Sequence, residues 1–249
     1  MRKSKSGKYS FVKFVQHNLM FMRTKKWIVI FLILAPALSM GQFKPYTFGF
    51  KIAPGIGWLR TDSKGYSGGS SVGFSWGFIS EFNFTENHCL ATGINFVFNN
   101  SNLSFPDRKI VNSVDETVQV DRKLRIKYLQ LPLALKMSTD EKNNMRFYGQ
   151  FGLGTGFRLN AKAKDEYVPS GGSVISETVN IDEEVSFIRE SLIVGLGVEY
   201  RISSGNVLSG GLTLDNGFTD ILSGTNKVDT SVKPKGTSSF VELSLGLLF

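Results

Sequence analysis

Six charged residues fall on strand positions that otherwise carry glycine and small polar residues. They are Lys51, Glu81, Arg189, Glu199, Arg201 and Glu242. Because buried charges are tolerated only when they are paired, the three cations and three acids predict ion pairs on one face of a sheet. If the sheet closes, Lys51 on the first strand would lie between Glu81 and Glu242. The competing interpretation is that water solvates each charge separately.

Groups that usually carry catalysis near neutral pH are scarce. After residue 41 the sequence has one histidine, His88, and the single cysteine of the chain, Cys89, follows it. His88 lies beside a predicted short turn, and adjacent strand residues point to opposite faces, so the two do not form a metal pair. Acidic residues such as Asp182 lack the ordered spacing of a calcium loop. We therefore expect no enzymatic activity, no catalytic residue, no metal site and no cofactor.

The segments that would position the charges alternate with a period of two. From Tyr46 to Trp58, bulky apolar residues alternate with small residues and Lys51. Similar runs cover about residues 72–84, 90–98, 118–137, 147–159, 188–202, 207–214 and 239–249. This pattern predicts eight antiparallel strands. In the fourth run Leu124 and Ile126 are out of phase with the later leucines, which indicates a bulge or the membrane rim near Lys127.

The connections between these runs alternate in length. Those at residues 85–87, 138–144 and 203–205 are short, and those at 61–69, 99–117, 161–186 and 217–235 are long and polar. Short periplasmic turns and long extracellular loops are typical of a bacterial outer-membrane barrel. Both chain ends would then lie in the periplasm.

The distribution of apolar residues favours a membrane barrel over a soluble one. The bulky face is almost free of charge over about ten residues, the length of a strand that crosses hydrocarbon, and the opposite face is rich in glycine. Open sheet edges are too costly in lipid, so the sheet must close. An eight-stranded barrel is just wide enough for side chains to fill. We expect a plugged, up-and-down transmembrane β-barrel, and not a diffusion pore.

The N-terminal segment accounts for the basic character of the chain. Eight of the 29 lysines and arginines precede residue 42, where no acidic residue occurs, so 21 basic residues balance 21 acidic ones in the remainder. That remainder gives no electrostatic reason to bind nucleic acid. A basic stretch, a short apolar run and small residues predict a signal peptide at about residues 22–41, cleaved after Gly41. Residues 42–249 would form the barrel domain, and residues 1–21 are either an extended leader or a misassigned start.

Several segments carry a resemblance to a known family. Tyr128–Lys136, Tyr148–Gly154, Gly195–Glu199 and a last strand that ends in Phe249 resemble the PorT-like outer-membrane β-barrel family of Bacteroidetes. The resemblance implies an outer-membrane barrel and implies that Pro132, unusual within a strand, is a family feature. Similarity to outer-membrane proteins in general implies that the barrel-assembly machinery recognises Phe249; alternatively, Phe249 is a lipid-facing anchor.

These observations predict a non-enzymatic integral outer-membrane protein with a structural or interaction role in the cell envelope. Its expected partners are outer-membrane lipid and lipopolysaccharide, and the barrel-assembly machinery during biogenesis. One alternative is an accessory component of a protein-secretion or envelope-transport machine. A second is a periplasmic, lipocalin-like carrier, in which the apolar faces would point inward.

Overall fold

Within the residues that the structure describes, the alternating segments form nine antiparallel strands in one sheet, because extended chains satisfy their backbone groups by lateral pairing. The computed structural model describes residues 44–111, 113–202 and 205–249. The strands are β1 (Tyr46–Arg60), β2 (Ser67–Asn83), β3 (His88–Val111), β4 (Val114–Ser138), β5 (Met145–Tyr167), β6 (Ile175–Asn180), β7 (Ile188–Arg201), β8 (Val207–Gly217) and β9 (Thr237–Leu248). One 3-10 turn, Asp182–Glu184, precedes β7.

Eight of these strands close into a ring. Their lateral order is β4-β3-β2-β1-β9-β8-β7-β5, and β4 also pairs with β5. β6 pairs with β5 beyond the point where β5 leaves β7, so it is an addition to one end of the ring. The predicted eight-stranded antiparallel up-and-down barrel is therefore confirmed, with an extra ninth strand.

The predicted signal peptide and the cleavage site after Gly41 lie outside the residues that the structure describes. Within the described residues, no helix is long and apolar enough to cross a membrane.

A belt of bulky apolar side chains faces outward around the ring. Its members include Phe48, Phe78, Leu133, Phe151, Leu196, Leu212 and Leu245, each about half exposed. The inward positions of the same strands hold glycine, alanine and polar residues. A soluble carrier would bury its apolar face, so this arrangement contradicts the lipocalin-like alternative and suits a barrel surrounded by lipid.

The chemistry of the two faces inverts near one end of the barrel. Along β4 the even-numbered residues point inward over almost its entire length. From Lys127 toward Ser138, a direction called below here, the outward residues are mostly leucines and the inward ones are mostly polar. From Lys127 toward Val114, called above, Leu124 and Ile126 point inward and are buried, and charged residues point outward. Lys127 pairs with Phe98 of β3, where the outward residues change from aromatic to polar. The membrane rim therefore lies at this level.

At the level of Lys127, the neighbouring strand β5 contains a bulge. Lys127 pairs with Asn160 and Tyr128 pairs with Arg158, which leaves Leu159 as an extra residue. The extra residue shifts the side-chain phase of β5, so Ala161 and the following odd-numbered residues point inward. Of the two explanations that the sequence allows for β4, the membrane rim is therefore the one that applies, because β4 keeps its side-chain phase and the bulge lies on the neighbouring β5.

Two predicted long loops are wrong. Residues 99–117 and 161–186 are largely strand: β3 and β4 pair as far as Val111 and Val114, and β5 continues to Tyr167 before β6 returns beside it. The outward faces of these extensions are polar because they meet water. Polar composition is also typical of loops, which is why the sequence predicts loops here. The short 138–144 connection agrees with the structure, where Asn143 and Asn144 have positive φ in the two-residue turn.

Pro132 is accommodated by a gap in the β3–β4 ladder. The pairs Thr92 with Leu133 and Asn95 with Gln130 share one register, in which Gly93 lies opposite Pro132, but the ladder contains no pair at Pro132 itself. The missing N–H of proline therefore leaves no ladder acceptor without its donor. The Thr92 hydroxyl donates to the Pro132 carbonyl at 2.8 Å.

Candidate functional site

The inward-facing charges form pairs across the lumen, and the first pair joins β1 and β9. Lys51 donates to Glu242, and the Ser75 hydroxyl donates to the other oxygen of the same carboxylate at 2.5 Å. The sequence had placed Lys51 between Glu242 and Glu81. The structure places Glu81 in a different pair, because side chains in the lumen reach across the barrel as well as to adjacent strands.

The second cluster surrounds Lys136 of β4. Its ammonium donates to Glu81 of β2 at 2.5 Å and to Glu199 of β7. Arg146 of β5 donates to the second oxygen of Glu199 at 2.5 Å. Glu81, Lys136 and Glu199 are at most 4% exposed as side chains. Four strands are thus tied together across the inside of the barrel.

The third cluster surrounds Arg189, which is 1% exposed. Its guanidinium donates to Asp215 of β8 and to the carbonyl oxygen of Ser238. The second oxygen of Asp215 accepts from Gln130 at 2.5 Å and from Ser191 at 3.1 Å. This carboxylate is therefore satisfied on both oxygens, as a buried charge requires.

Two predicted residues lie at the end of the barrel that carries the short turns. Arg201, the last residue of β7, is partly exposed and pairs with Glu141 of the β4–β5 turn at 2.6 Å, so it does not join the lumen clusters. The hydrogen bond from Arg201 lowers the pKa of Glu141 below its ordinary value. Phe249 donates its backbone N–H to Phe48 at 2.7 Å, and the two rings lie 5.6 Å apart.

Sequence reasoning missed three members of these clusters. Lys136 shares a face with Gln130, and its position in the alternation could have identified it. Asp215 lies one residue beyond the predicted end of its run, and Arg146 lies one residue before the start of another. With them the clusters hold equal numbers of both signs: Lys51, Lys136, Arg146 and Arg189 against Glu81, Glu199, Asp215 and Glu242.

The space left between the clusters is small. A cavity of about 80 Å³ lies among Lys51, Glu81, Gln130, Lys136 and Asp215. A cavity needs roughly 10 to 15 Å³ of this kind of volume to hold one water, so this one has room for several waters.

Tyr148 fills much of the lumen beside the Lys136 cluster. The Lys136 ammonium lies 4.4 Å from the centre of the Tyr148 ring, within cation–π distance. The ring rests on Gly197 and Gly211, where a Cβ atom would collide with it. Glycine at these two positions therefore makes room for the aromatic ring.

Above the rim the inward side chains form a compact apolar core. Its buried members include Leu103, Phe105, Val120, Leu124, Ile126, Ala161, Ile181, Val185 and Ile221. Arg122 crosses this region with two 2.7 Å hydrogen bonds to Asp165 and one of 2.5 Å to Glu184 of the 3-10 turn. The end of the barrel opposite the short turns is therefore covered by packed residues from the β6–β7 and β8–β9 connections.

Asp182 anchors the connection between β6 and β7. Its carboxylate accepts from the backbone N–H of Ala161 at 2.6 Å and from Arg158 at 2.6 Å. The Ala161 hydrogen bond is the main cause that lowers the pKa of Asp182 below its ordinary value. The ionised carboxylate holds this connection against β5.

Comparison with known proteins identifies the family. The chain matches the outer membrane protein beta-barrel domain over residues 38–223. It is similar to the crystal structures of neisserial surface protein A (16% identity, 80% of this chain and 95% of that chain, TM-score 0.40), of OprG from Pseudomonas aeruginosa (13%, 81%, 95%, 0.44) and of Ail from Yersinia pestis (15%, 83%, 100%, 0.32). No curated protein matches it. Because the family match covers well over half of the sequence, this chain belongs to the outer membrane protein beta-barrel domain family.

Proposed function

We propose that this protein is a non-enzymatic, integral outer-membrane barrel with a closed lumen and a structural or interaction role in the cell envelope. The observation that carries the proposal is the balanced set of ion pairs across the lumen, which leaves a cavity of only about 80 Å³. Opening a path would separate buried pairs, and each lost partner costs roughly 3 to 5 kcal/mol.

Conductance tests the closed lumen directly. The folded barrel in planar bilayers, with a porin as positive control, should show no steady current. A stable open level of conductance in most insertions would refute a closed lumen.

The proposed orientation places both chain ends and the short turns in the periplasm. Tyr46 and Phe249 lie at the end that carries the short turns, and the extensions of β3, β4 and β5 lie at the other. The matched variants Ser170→Cys, in the connection after β5, and Asp140→Cys, in the β4–β5 turn, test it. A membrane-impermeant maleimide on intact cells should label the first variant, whose cysteine would lie outside the cell, and not the second, whose cysteine would lie in the periplasm. The native Cys89 is buried and should not react. The reverse labelling would refute the orientation.

An accessory role in a protein-secretion or envelope-transport machine is the second candidate function. The observation that favours it is β6, which in the described residues pairs only with β5 and so leaves one edge for an extended segment of another protein. Crosslinking in intact envelopes followed by purification tests it. A stoichiometric protein partner would support this role, and recovery of the barrel without one would support a role in which the barrel acts alone.

The proposal also includes three narrower expectations from the sequence. We infer a PorT-like relationship from the segments around Pro132, Tyr148 and Gly197. We infer a leader removed after Gly41, which the N-terminal sequence of the membrane form would test. We infer that Phe249 serves barrel assembly: its deletion should lower the folded amount in the membrane, whereas Phe249→Tyr, which keeps an aromatic ring, should not. Equal amounts for wild type and deletion would refute that role.

A further inference from the structure

Five cations lie side by side on the outer surface of β4 and β5, directly above the lipid-facing leucines of β4. They are Lys123, Arg125, Lys127, Lys162 and Lys164. We call this set the basic patch. Its side chains point outward, since the inward positions on either side of them belong to the apolar core or to the buried Arg122–Asp165 ion pair.

The register brings like charges together in the patch. Arg125 is paired with Lys162 and Lys123 with Lys164. Like charges directly opposite each other on neighbouring strands are destabilising. This arrangement does not stabilise the isolated barrel, which indicates that the cations have another role.

Two carboxylates lie near the patch: Glu166 at its upper edge, and Asp182 beside Ala161, where it is paired with Arg158. Glu166 lies 2.8 Å from Lys164 and 3.7 Å from Lys123. In the part of the chain that the structure describes, Arg125 and Lys162 form no ion pair with a carboxylate. Across the sheet, Arg125 and Lys162 are flanked by Asn100 of β3 and Asn180 of β6. This row of four residues across four strands therefore contains no acid.

The height of the patch matches the lipid headgroups. A strand rises about 3.4 Å per residue, and a barrel strand is tilted by roughly 40°. Lys127 therefore lies about 5 Å above Leu129, the uppermost lipid-facing leucine of β4, and Arg125 about 10 Å above it. Headgroup layers are roughly 5 to 8 Å thick on each side of the hydrocarbon. Lys127 thus lies within the headgroup layer, and Arg125 and Lys162 lie just above it, from where their long side chains can reach it.

We propose that the basic patch binds the phosphate groups of a phosphorylated lipid of the outer leaflet, lipopolysaccharide, with Arg125 and Lys162 as the central contacts. A phosphate between the two side chains would replace their repulsion with charge-assisted hydrogen bonds. A lipid fits better than a soluble anion, because its acyl chains can lie on Leu129 and Leu131 while its phosphates reach the patch. This inference rests on the proposed orientation, in which this rim faces the outer leaflet.

Binding to the folded full-length protein in detergent tests the proposal without depending on its orientation in cells. The probes are lipopolysaccharide, the same lipopolysaccharide after enzymatic dephosphorylation, and inorganic phosphate. The test variant is Arg125→Gln with Lys162→Gln. The control is Lys64→Gln with Lys142→Gln, which removes two exposed cations away from the patch.

We expect the wild type and the control to bind phosphorylated lipopolysaccharide with equal Kd. The patch variant should bind roughly thirtyfold more weakly, because each cation near an anionic membrane surface contributes about fivefold. Dephosphorylated lipopolysaccharide should bind the wild type as weakly as the intact lipid binds the variant, and millimolar inorganic phosphate should not compete. Without lipopolysaccharide, the patch variant should resist urea at least as well as the wild type, since its like-charge contact is gone.

Three results would overturn the proposal. One is an equal Kd for the wild type and the patch variant. Another is equal binding of the dephosphorylated lipid, which would show that the acyl chains alone are recognised. The third is full competition by inorganic phosphate, which would assign the patch to a soluble anion. Reversed labelling of Ser170→Cys and Asp140→Cys on intact cells would instead refute the orientation and would leave these binding results unchanged.

Discussion

Lys136→Met provides the sharpest test of the lumen network, because it removes the cation that two buried carboxylates share. Glu81 has no other ion-pair partner in the described residues, whereas Glu199 keeps its 2.5 Å contact with Arg146. Methionine has a similar length and no charge, so the substitution leaves little empty space. The main effect is one uncompensated buried charge at Glu81.

The expected loss follows from that stranded charge. Breaking a buried ion pair by removing one partner costs roughly 3 to 5 kcal/mol. The cavity of about 80 Å³ beside Lys136 can admit water to Glu81, so we expect a loss near 3 kcal/mol, the lower end of that range. Adding Glu81→Gln to Lys136→Met removes the stranded charge and should restore at least half of the loss.

The assay is reversible urea unfolding of the barrel in phospholipid vesicles, with the folded fraction measured by the mobility of unheated samples on a gel. Lys142→Met is the matched control: it removes an exposed lysine from a turn and should change the free energy of unfolding by less than about 0.5 kcal/mol. A loss under about 1 kcal/mol for Lys136→Met, or no recovery in the double variant, would show that the lumen charges are separately hydrated.

Three further substitutions probe other parts of the barrel. Lys51→Met should cost less, about 1 to 3 kcal/mol in the same urea assay, because Glu242 keeps the hydrogen bond from the Ser75 hydroxyl; a larger loss than for Lys136→Met would contradict this ranking. Gly197→Ala places a Cβ atom 2.3 Å from the carbonyl oxygen of Gly210 and 2.5 Å from Cζ of Tyr148, and should reduce the yield of refolded barrel, which a gel measures; an unchanged yield would contradict the packing argument. The lowered pKa of Asp182 means that its ionised form stabilises the β6–β7 connection above about pH 4, and that this contribution is lost as the pH falls below that value. The protection of residues 181–187 against hydrogen exchange, relative to the intrinsic rate at each pH, should therefore fall at low pH in the wild type and be low at every pH in Asp182→Asn; pH-independent protection in the wild type would contradict it.

The sequence by itself determined the ring of eight strands and the direction of their side chains within the membrane. A strand has a period of two, so each apolar run also states which residues face the other way. This placed Lys51, Glu81, Arg189, Glu199 and Glu242 on the inner face before any pairing was known.

The tertiary structure decided how far the strands continue and what their inner faces contact. Beyond Lys127 the same alternation has the opposite polarity, because water and not lipid surrounds the barrel there. A pattern of polar residues does not distinguish a loop from a strand whose outer face meets water, and for this reason the sequence predicts loops at residues 99–117 and 161–186.

The tertiary structure also decided which charges pair. Lys136 on β4 meets Glu81 on β2 and Glu199 on β7, although one strand separates β4 from each of them. Such contacts depend on the relative height of three strands and on the closure of the ring. Alternation along a single strand carries no information about either. The physical reason is that the direction of a side chain is a local property of its own strand, whereas its partner across the lumen is set by the register of all the strands between them.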